Sequence, residues 1–365
     1  MTKIKDIINY LETIAPLGYQ ENYDNAGLIT GRKDENVTGI LICLDALEGV
    51  IEEAIQKKCN LVIAHHPIIF KGLKKINGKN YVERTIIKAI KHDIAIYASH
   101  TNLDHVHVGV NRKIAEKIGL IDWKILAPRA DTLRKLVTFV PEANSKEVLA
   151  ALNQAGAGQI GNYKNCSFRV TGTGTFEPNE AANPHIGARN QPEEVAENRI
   201  EMIFPAVKGP EVMQALKNSH PYEEVGYYLQ NVENQNQEVG AGMIGRLEKP
   251  MEVKKFMTHV KERMQLSCIR HTRIVNQKIG KVAVCGGSGS FLLPKALRQG
   301  ADAYISADFK YHEFFDAEDK LIIMDIGHYE SEVFTKELIY EIISKKFTNI
   351  AIDFTEQITN PISYY

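Results

Sequence analysis

The chain has 365 residues, 44% hydrophobic and 24% charged, with a formal net charge of -1. That balance excludes a disordered or fibrous protein and supplies no global field for nucleic acid. No stretch approaches the ~20 consecutive apolar residues needed to cross a bilayer, and the length exceeds one ordinary core of ~100 to 200 residues, so two domains or one domain with an insertion are expected.

Met1 to Tyr10 mixes lysine, aspartate and isoleucine in a helical pattern instead of the apolar core of a signal peptide. The five cysteines, Cys43, Cys59, Cys166, Cys268 and Cys285, are odd in number and widely spaced. They read as buried free thiols of a reducing compartment, so the expected location is cytoplasmic.

In chain order, the first part alternates β-branched runs with amphipathic stretches. The runs are Gly39 to Leu44, Leu61 to Ala64 and Ile94 to Ala98, and helical spacing fills about 47 to 58 and 83 to 92. The rhythm returns near residue 250, with strands at Lys281 to Cys285, Ala303 to Ser306, Leu321 to Asp325 and Asn349 to Phe354, and helices at 293 to 300, 310 to 317 and 331 to 345. The fold class this implies is α/β, with one parallel-rich sheet formed by the N- and C-terminal segments. The middle has a different texture. A strand at Lys135 to Val140, a helix near 145 to 155, the glycine-rich Gly156 to Gly174, a strand at Arg199 to Phe204, a helix at Gly209 to Asn218 and a strand near Val225 to Leu229 suggest β-α-β-β-α-β, a ferredoxin-like α+β insertion. The expected division is 1 to 126, an inserted domain at 127 to 246, and 247 to 365.

Three places carry the chemistry. Leu61 to Ala64 runs into His65-His66-Pro67, which sets ligand-capable groups at the carboxyl end of a strand, where open αβ sheets build their sites. Neighbouring strand residues face opposite ways, so either the chain turns there or each imidazole serves a different ion. Ile94 to Ala98 runs into His100 and Asp104, where Asp104 either ligates a metal or caps the next helix. Leu321 to Asp325 leads to His328 and Glu332, four residues apart on one helix face, although acidic residues also favour a helix start through its dipole.

Three strand ends bearing histidine or carboxylate point to one shared site. Its mixed nitrogen and oxygen donors suit zinc, iron or manganese. Five ligands do not saturate two divalent ions, so a bridging carboxylate, assigned to Glu332, and water complete them. Water held there can have its pKa lowered to ~7 and act as a nucleophile. His100 and His312 are the candidate proton carriers, with the segment around Lys310 and His312 either facing substrate or starting a solvated helix. Val284 to Ser290 is either a phosphate cradle or a tight turn beside the metal pocket, and it lacks the Walker lysine.

The runs Glu21 to Leu28, His65-His66-Pro67, His100 to Asp104, Ser306 to His312 and Gly327 to Glu332 together resemble the Nif-three-like family, dinuclear-metal hexameric proteins often labelled GTP cyclohydrolase 1 type 2 homologues. Gly156 to Tyr163 and His220 to Glu224 look like the PII/CutA-type insertion of its long members. Tyr23 stands where tryptophan is frequent, and Ser306-Ala307 where Thr-Gly is. The resemblance implies two divalent ions per chain on His65, His66, Asp104, His328 and Glu332, and a toroidal homohexamer. The function expected is a metal-dependent hydrolase of a nucleotide-like or phosphorylated small molecule, the alternative being a non-catalytic metal-binding scaffold, chaperone or regulator.

Overall fold

The β-branched runs of the first part are parallel strands because each is buried on both faces and must be covered by helices on either side. In the computed structural model, which describes residues 1–365, the chain forms two compact units, Met1–Pro128 with Glu238–Tyr365, and Arg129–Gln237.

In the first unit, Ala95–Ala98, Leu61–His66, Ile40–Asp45 and Ile352–Phe354 lie side by side and parallel, and Gly27–Thr30 adds an antiparallel edge to Ala95–Ala98. Leu41, Cys43, Val62, Ala64 and Ile96 point to one face, where Val50, Ile51 and Ala54 of helix Glu48–Gln56 and Ile86 and Ala89 of helix Tyr81–Lys91 close over them. Each fully buried Ile, Leu or Val contributes roughly 1.5 to 3 kcal/mol, so this layer fixes where the strands end. Asn80 starts the second helix by accepting the Glu83 N–H, while Glu83 accepts from the Asn80 side chain.

The expectation of one sheet shared by both segments is corrected: the unit has two. The second runs Arg270–His271, Ile322–Asp325, Ala303–Ala307, Lys278–Ser288, Asn236–Glu252, Leu120–Arg129. Its centre is parallel, and Lys278–Ser288 meets Asn236–Glu252 antiparallel. Each sheet takes one strand from the other segment, Ile352–Phe354 in the first and Leu120–Arg129 in the second. Apolar periodicity reports that a strand is buried and is silent on which strand lies beside it.

The helix expected over 331 to 345 is broken into His328–Glu332 and Thr335–Ser344, and 310 to 317 is a 3-10 turn, Tyr311–Ala317. Of the cysteines, Cys43, Cys59 and Cys285 are buried, but Cys166 is partly buried and Cys268 exposed. No helix is long and apolar enough to cross a membrane.

In the second unit the order is strand Leu133–Pro141, helix Ser145–Gln154, strands Phe168–Phe176 and Glu193–Pro205, helix Gly209–Ser219 and strand Tyr227–Val232. The four strands form one antiparallel sheet in the spatial order Phe168–Phe176, Glu193–Pro205, Leu133–Pro141, Tyr227–Val232. Leu136, Val140, Ile200, Met202 and Phe204 pack against Val148, Leu152, Val212 and Leu216 of the two helices, which leaves the opposite face of the sheet without a helix.

Candidate metal centre

Strand Leu61–His66 delivers His65 and His66 at its carboxyl end, beside the end of Ile40–Asp45, with Asp45 directly opposite His66. Strand Ala95–Ala98 leads into the short helix Thr101–Asp104, whose last residue is Asp104. From the other sheet, Ile322–Asp325 leads through Gly327 to helix His328–Glu332. Glu332 is 3% exposed, so it serves the interior and not the helix dipole. Asp104 does not cap the following helix, since that helix, Val110–Lys117, starts after Gly109.

Glu332 is the centre of the arrangement. Its Oε2 lies 2.9 Å from His66 Nε2, 3.1 Å from His328 Nε2 and 3.8 Å from His65 Nε2. His65 Nε2 is also 3.6 Å from Asp104 Oδ1. Three overlapping groups result, His65 with Asp104 and Glu332, His66 with His328 and Glu332, and His65 with His66 and His100, each with its donor atoms within 4.8 Å of one another. The rings of His65 and His66 tilt by 45° at a centroid distance of 4.9 Å, and only one of the two belongs to each group that contains Glu332.

The outer nitrogens explain why the inner ones face inward. His65 Nδ1 donates to the Ser99 carbonyl at 2.7 Å, His66 Nδ1 to Asp45 at 2.7 Å, His328 Nδ1 to Asp308 at 2.6 Å and His100 Nδ1 to Asp24 at 2.7 Å. Carbonyls and carboxylates only accept, so each Nδ1 carries a proton; Nε2 of His65 is left with its lone pair toward the pocket, while Nε2 of His66 and His328 donates to Glu332, a proton that a bound cation would displace.

Two atoms here have no hydrogen-bond partner although they are sealed from solvent, His65 Nε2 and Asp104 Oδ1. An unpaired buried polar atom costs ~1 to 3 kcal/mol, and a cation between them removes that cost. The donor set therefore fits a metal ion. Electrostatics agree. Burial and the neighbouring Glu332 charge push Asp104 well above the usual carboxylate range, while Glu332, despite its own burial, is held well below it by His328, His65 and His66. Burial lowers His65. Burial also opposes charge on His66 and His328, but Asp45 and Glu332 push His66 up to about 10, and Glu332 and Asp308 push His328 up to about 9.

The site opens into a cavity of about 470 Å³. His100 lines it, and Tyr23 and Phe70 lie on its wall with ring centroids 6.2 Å apart and planes tilted by 43°. His312 does not reach it. That side chain is exposed and packs on Tyr311 and Phe315, because the 3-10 turn carries it away. The glycines beside the pocket offer no phosphate cradle. Gly286 N–H donates to Asn111 Oδ1 at 2.9 Å and Gly287 N–H to Ser331 Oγ at 2.9 Å, so both donors are spent within the protein. Asp24 and Asp45 were not assigned a role from the sequence. Asp45 ends a strand just as His66 does, a local signal; Asp24 sits in a loop, and its only signal is its place in the run Glu21 to Leu28 that carries the family resemblance.

The chain matches the DUF34/NIF3 family (NGG1p interacting factor 3) over residues 2–361. It is 39% identical to a GTP cyclohydrolase 1 type 2 homolog of Bacillus subtilis, over 99% of this chain and 98% of that protein. Against one from Halalkalibacterium halodurans it is 38% identical, over 98% of each. A Bacillus cereus protein related to NIF3 has the same fold with a TM-score of 0.87 at 38% identity, covering 100% of this chain and 99% of that one. Staphylococcus aureus protein SA1388 follows at 0.79 and 30%, with coverage of 100% and 99%. A family match along nearly the whole length, with relatives this similar from end to end, makes the chain a member of the DUF34/NIF3 family.

Proposed function

We propose that this protein holds two divalent ions of the zinc, iron or manganese class and hydrolyses a nucleotide-like or phosphorylated small molecule. The observation that carries the metal reading is the pair of sealed, unpartnered atoms His65 Nε2 and Asp104 Oδ1 beside Glu332. Two overlapping donor groups sharing Glu332 support two ions bridged by that carboxylate. Divalent ions supply Lewis acidity and make a water nucleophilic near neutral pH.

The remaining residues support hydrolysis. His100, its Nδ1 proton held by Asp24, presents Nε2 to the cavity, where it takes up or returns a proton at the substrate. Tyr23 and Phe70 offer ring faces on which a base stacks, and the relatives carry the GTP cyclohydrolase 1 type 2 homolog name. The Arg129–Gln237 unit is read as a ferredoxin-like insertion, a reading supported by its β-α-β-β-α-β order. The family resemblance supports a homohexamer.

The test is turnover by protein loaded with zinc, manganese or iron(II) against GTP, other nucleotides and phosphoesters. Metal-dependent turnover abolished by Glu332→Ala is the expected result. Full metal loading without turnover of any of them would favour a binding scaffold instead.

A further inference from the structure

The Arg129–Gln237 unit contains a cavity of its own, of about 690 Å³, within the range of small-molecule sites. Its floor is the sheet face that carries no helix. Phe139, Arg199 and Val170 lie in one row across three strands, and Gly172 and Glu197 form a pair in the next row. The walls are the segments from Phe176 to Ile186 and from Tyr222 to Gly226.

We propose that this cavity binds a small organic cation, an ammonium or guanidinium group carried on a flat apolar body. Charge is the first argument. Glu197 is only 8% exposed, lines the cavity and has no ion-pair partner. A buried carboxylate without a counter-charge is costly, and a bound cation supplies one. The arginine on the floor does not serve, because Arg199 is turned to Glu201 at 2.8 Å. Glu177 and Glu224 add two further uncompensated carboxylates on the walls, whereas Glu223 accepts the Asn183 N–H.

Tyr222 Oη is a second polar atom of the same cavity. It is sealed from solvent without a hydrogen-bond partner. Burial and its interaction with the neighbouring Glu197 carboxylate raise its pKa, which puts the hydroxyl beside that carboxylate. The space is also kept open by sequence. A Cβ at Gly174 would meet Glu197 Oε2 at 2.1 Å, so a side chain there would displace that carboxylate. Phe139, Phe176 and Tyr222 supply the ring faces that attract a cation and cover an apolar body.

The test is calorimetric titration of the full chain with tryptamine, tyramine and benzylamine, and with indole-3-acetate as the anionic counterpart of tryptamine. At least one amine should bind, and indole-3-acetate should bind about tenfold more weakly than tryptamine or not at all. Glu197→Gln should weaken the amine at least about tenfold, the effect of one lost charge-assisted contact. Gly172→Phe, placed where a Cβ meets no atom within 4 Å, should fill the cavity and abolish binding. Unchanged metal content and melting temperature show that both variants fold. No binding by any of the three amines, equal binding of indole-3-acetate, or amine affinity indifferent to Glu197→Gln would overturn the proposal.

Discussion

Asp24 accepts a 2.7 Å hydrogen bond from His100 Nδ1 across 76 residues of sequence, and its side chain is fully enclosed. It also accepts from the Thr101 N–H at 3.0 Å, from the Thr101 hydroxyl and from the Asn25 N–H at 2.7 Å. Burial alone would raise its pKa, but these donors bring it down to about 2. The unfolded value is ~3.9. A depressed carboxylate stabilises the fold fully above the unfolded value and loses that contribution as pH falls toward the folded one, here on the order of 2 kcal/mol between about pH 4 and pH 2. Asp24→Asn should therefore be less stable than the wild type at pH 7, with the gap closing below pH 4. Denaturant unfolding at several pH values measures it, and a gap that stays constant down to pH 2 would refute the assignment.

Gly287 lies at φ +60°, and a Cβ there would come within 2.4 Å of Glu332 Oε1. Two costs follow from Gly287→Ala, ~1 to 2 kcal/mol of left-handed backbone strain and displacement of the central carboxylate. Gly300→Ala isolates the first, because Gly300 sits at φ +67° with nothing within 4 Å of its Cβ. Both variants should lose the stability that the backbone strain costs, Gly287→Ala at least as much as Gly300→Ala, but only Gly287→Ala should lose metal. Elemental analysis giving equal metal in the two would show that Glu332 does not need that space.

Asp45 holds His66 through one oxygen and the hydroxyl of Thr359 through the other, at 2.7 and 2.6 Å. The last strand, Ile352–Phe354, places Thr359 there, so the chain terminus supports a histidine near its beginning. Outer partners of ligating histidines typically contribute ~10 to 100-fold in metal affinity. Asp45→Ala should cost that much, and Thr359→Val a smaller amount in the same direction. Competition with a chelator reads both, and Asp45→Ala with wild-type affinity would remove Asp45 from the centre.

The sequence carried the inner residues better than their supports. His65, His66, Asp104, His328 and Glu332 were legible because each follows an apolar run, and a strand end is a local feature. Their meeting required that both terminal segments form one unit, which the matching rhythms implied. The pairing into two sheets was not legible, since Leu120–Arg129 and Asn236–Glu252 are edge-side strands whose polar and glycine residues dilute the pattern. Asp24 and Asp45 act over long sequence separations, which periodicity does not encode. His312 failed for a related reason: its neighbours resemble a helix start, but the turn at Asp308, with φ +58°, sends the segment outward.

The strongest test of the centre is at its C-terminal contributors. His328 and Glu332 are the first and last residues of one short helix, and the i, i+4 relation brings His328 Nε2 within 3.1 Å of Glu332 Oε2. Glu330, between them, is turned about the helix axis, and its Oε1 accepts from the Asn360 side chain at 3.0 Å. His328→Ala and Glu332→Ala should each lower metal affinity at least ~100-fold, as His65→Ala should, because removing a ligand exceeds the loss of its outer support. Glu330→Ala should keep its metal. Glu332→Ala should be the more severe of the two C-terminal variants, since its carboxylate belongs to two of the donor groups and His328 to only one. Metal retained in Glu332→Ala but lost in Glu330→Ala would place the bridging carboxylate on the wrong face of this helix.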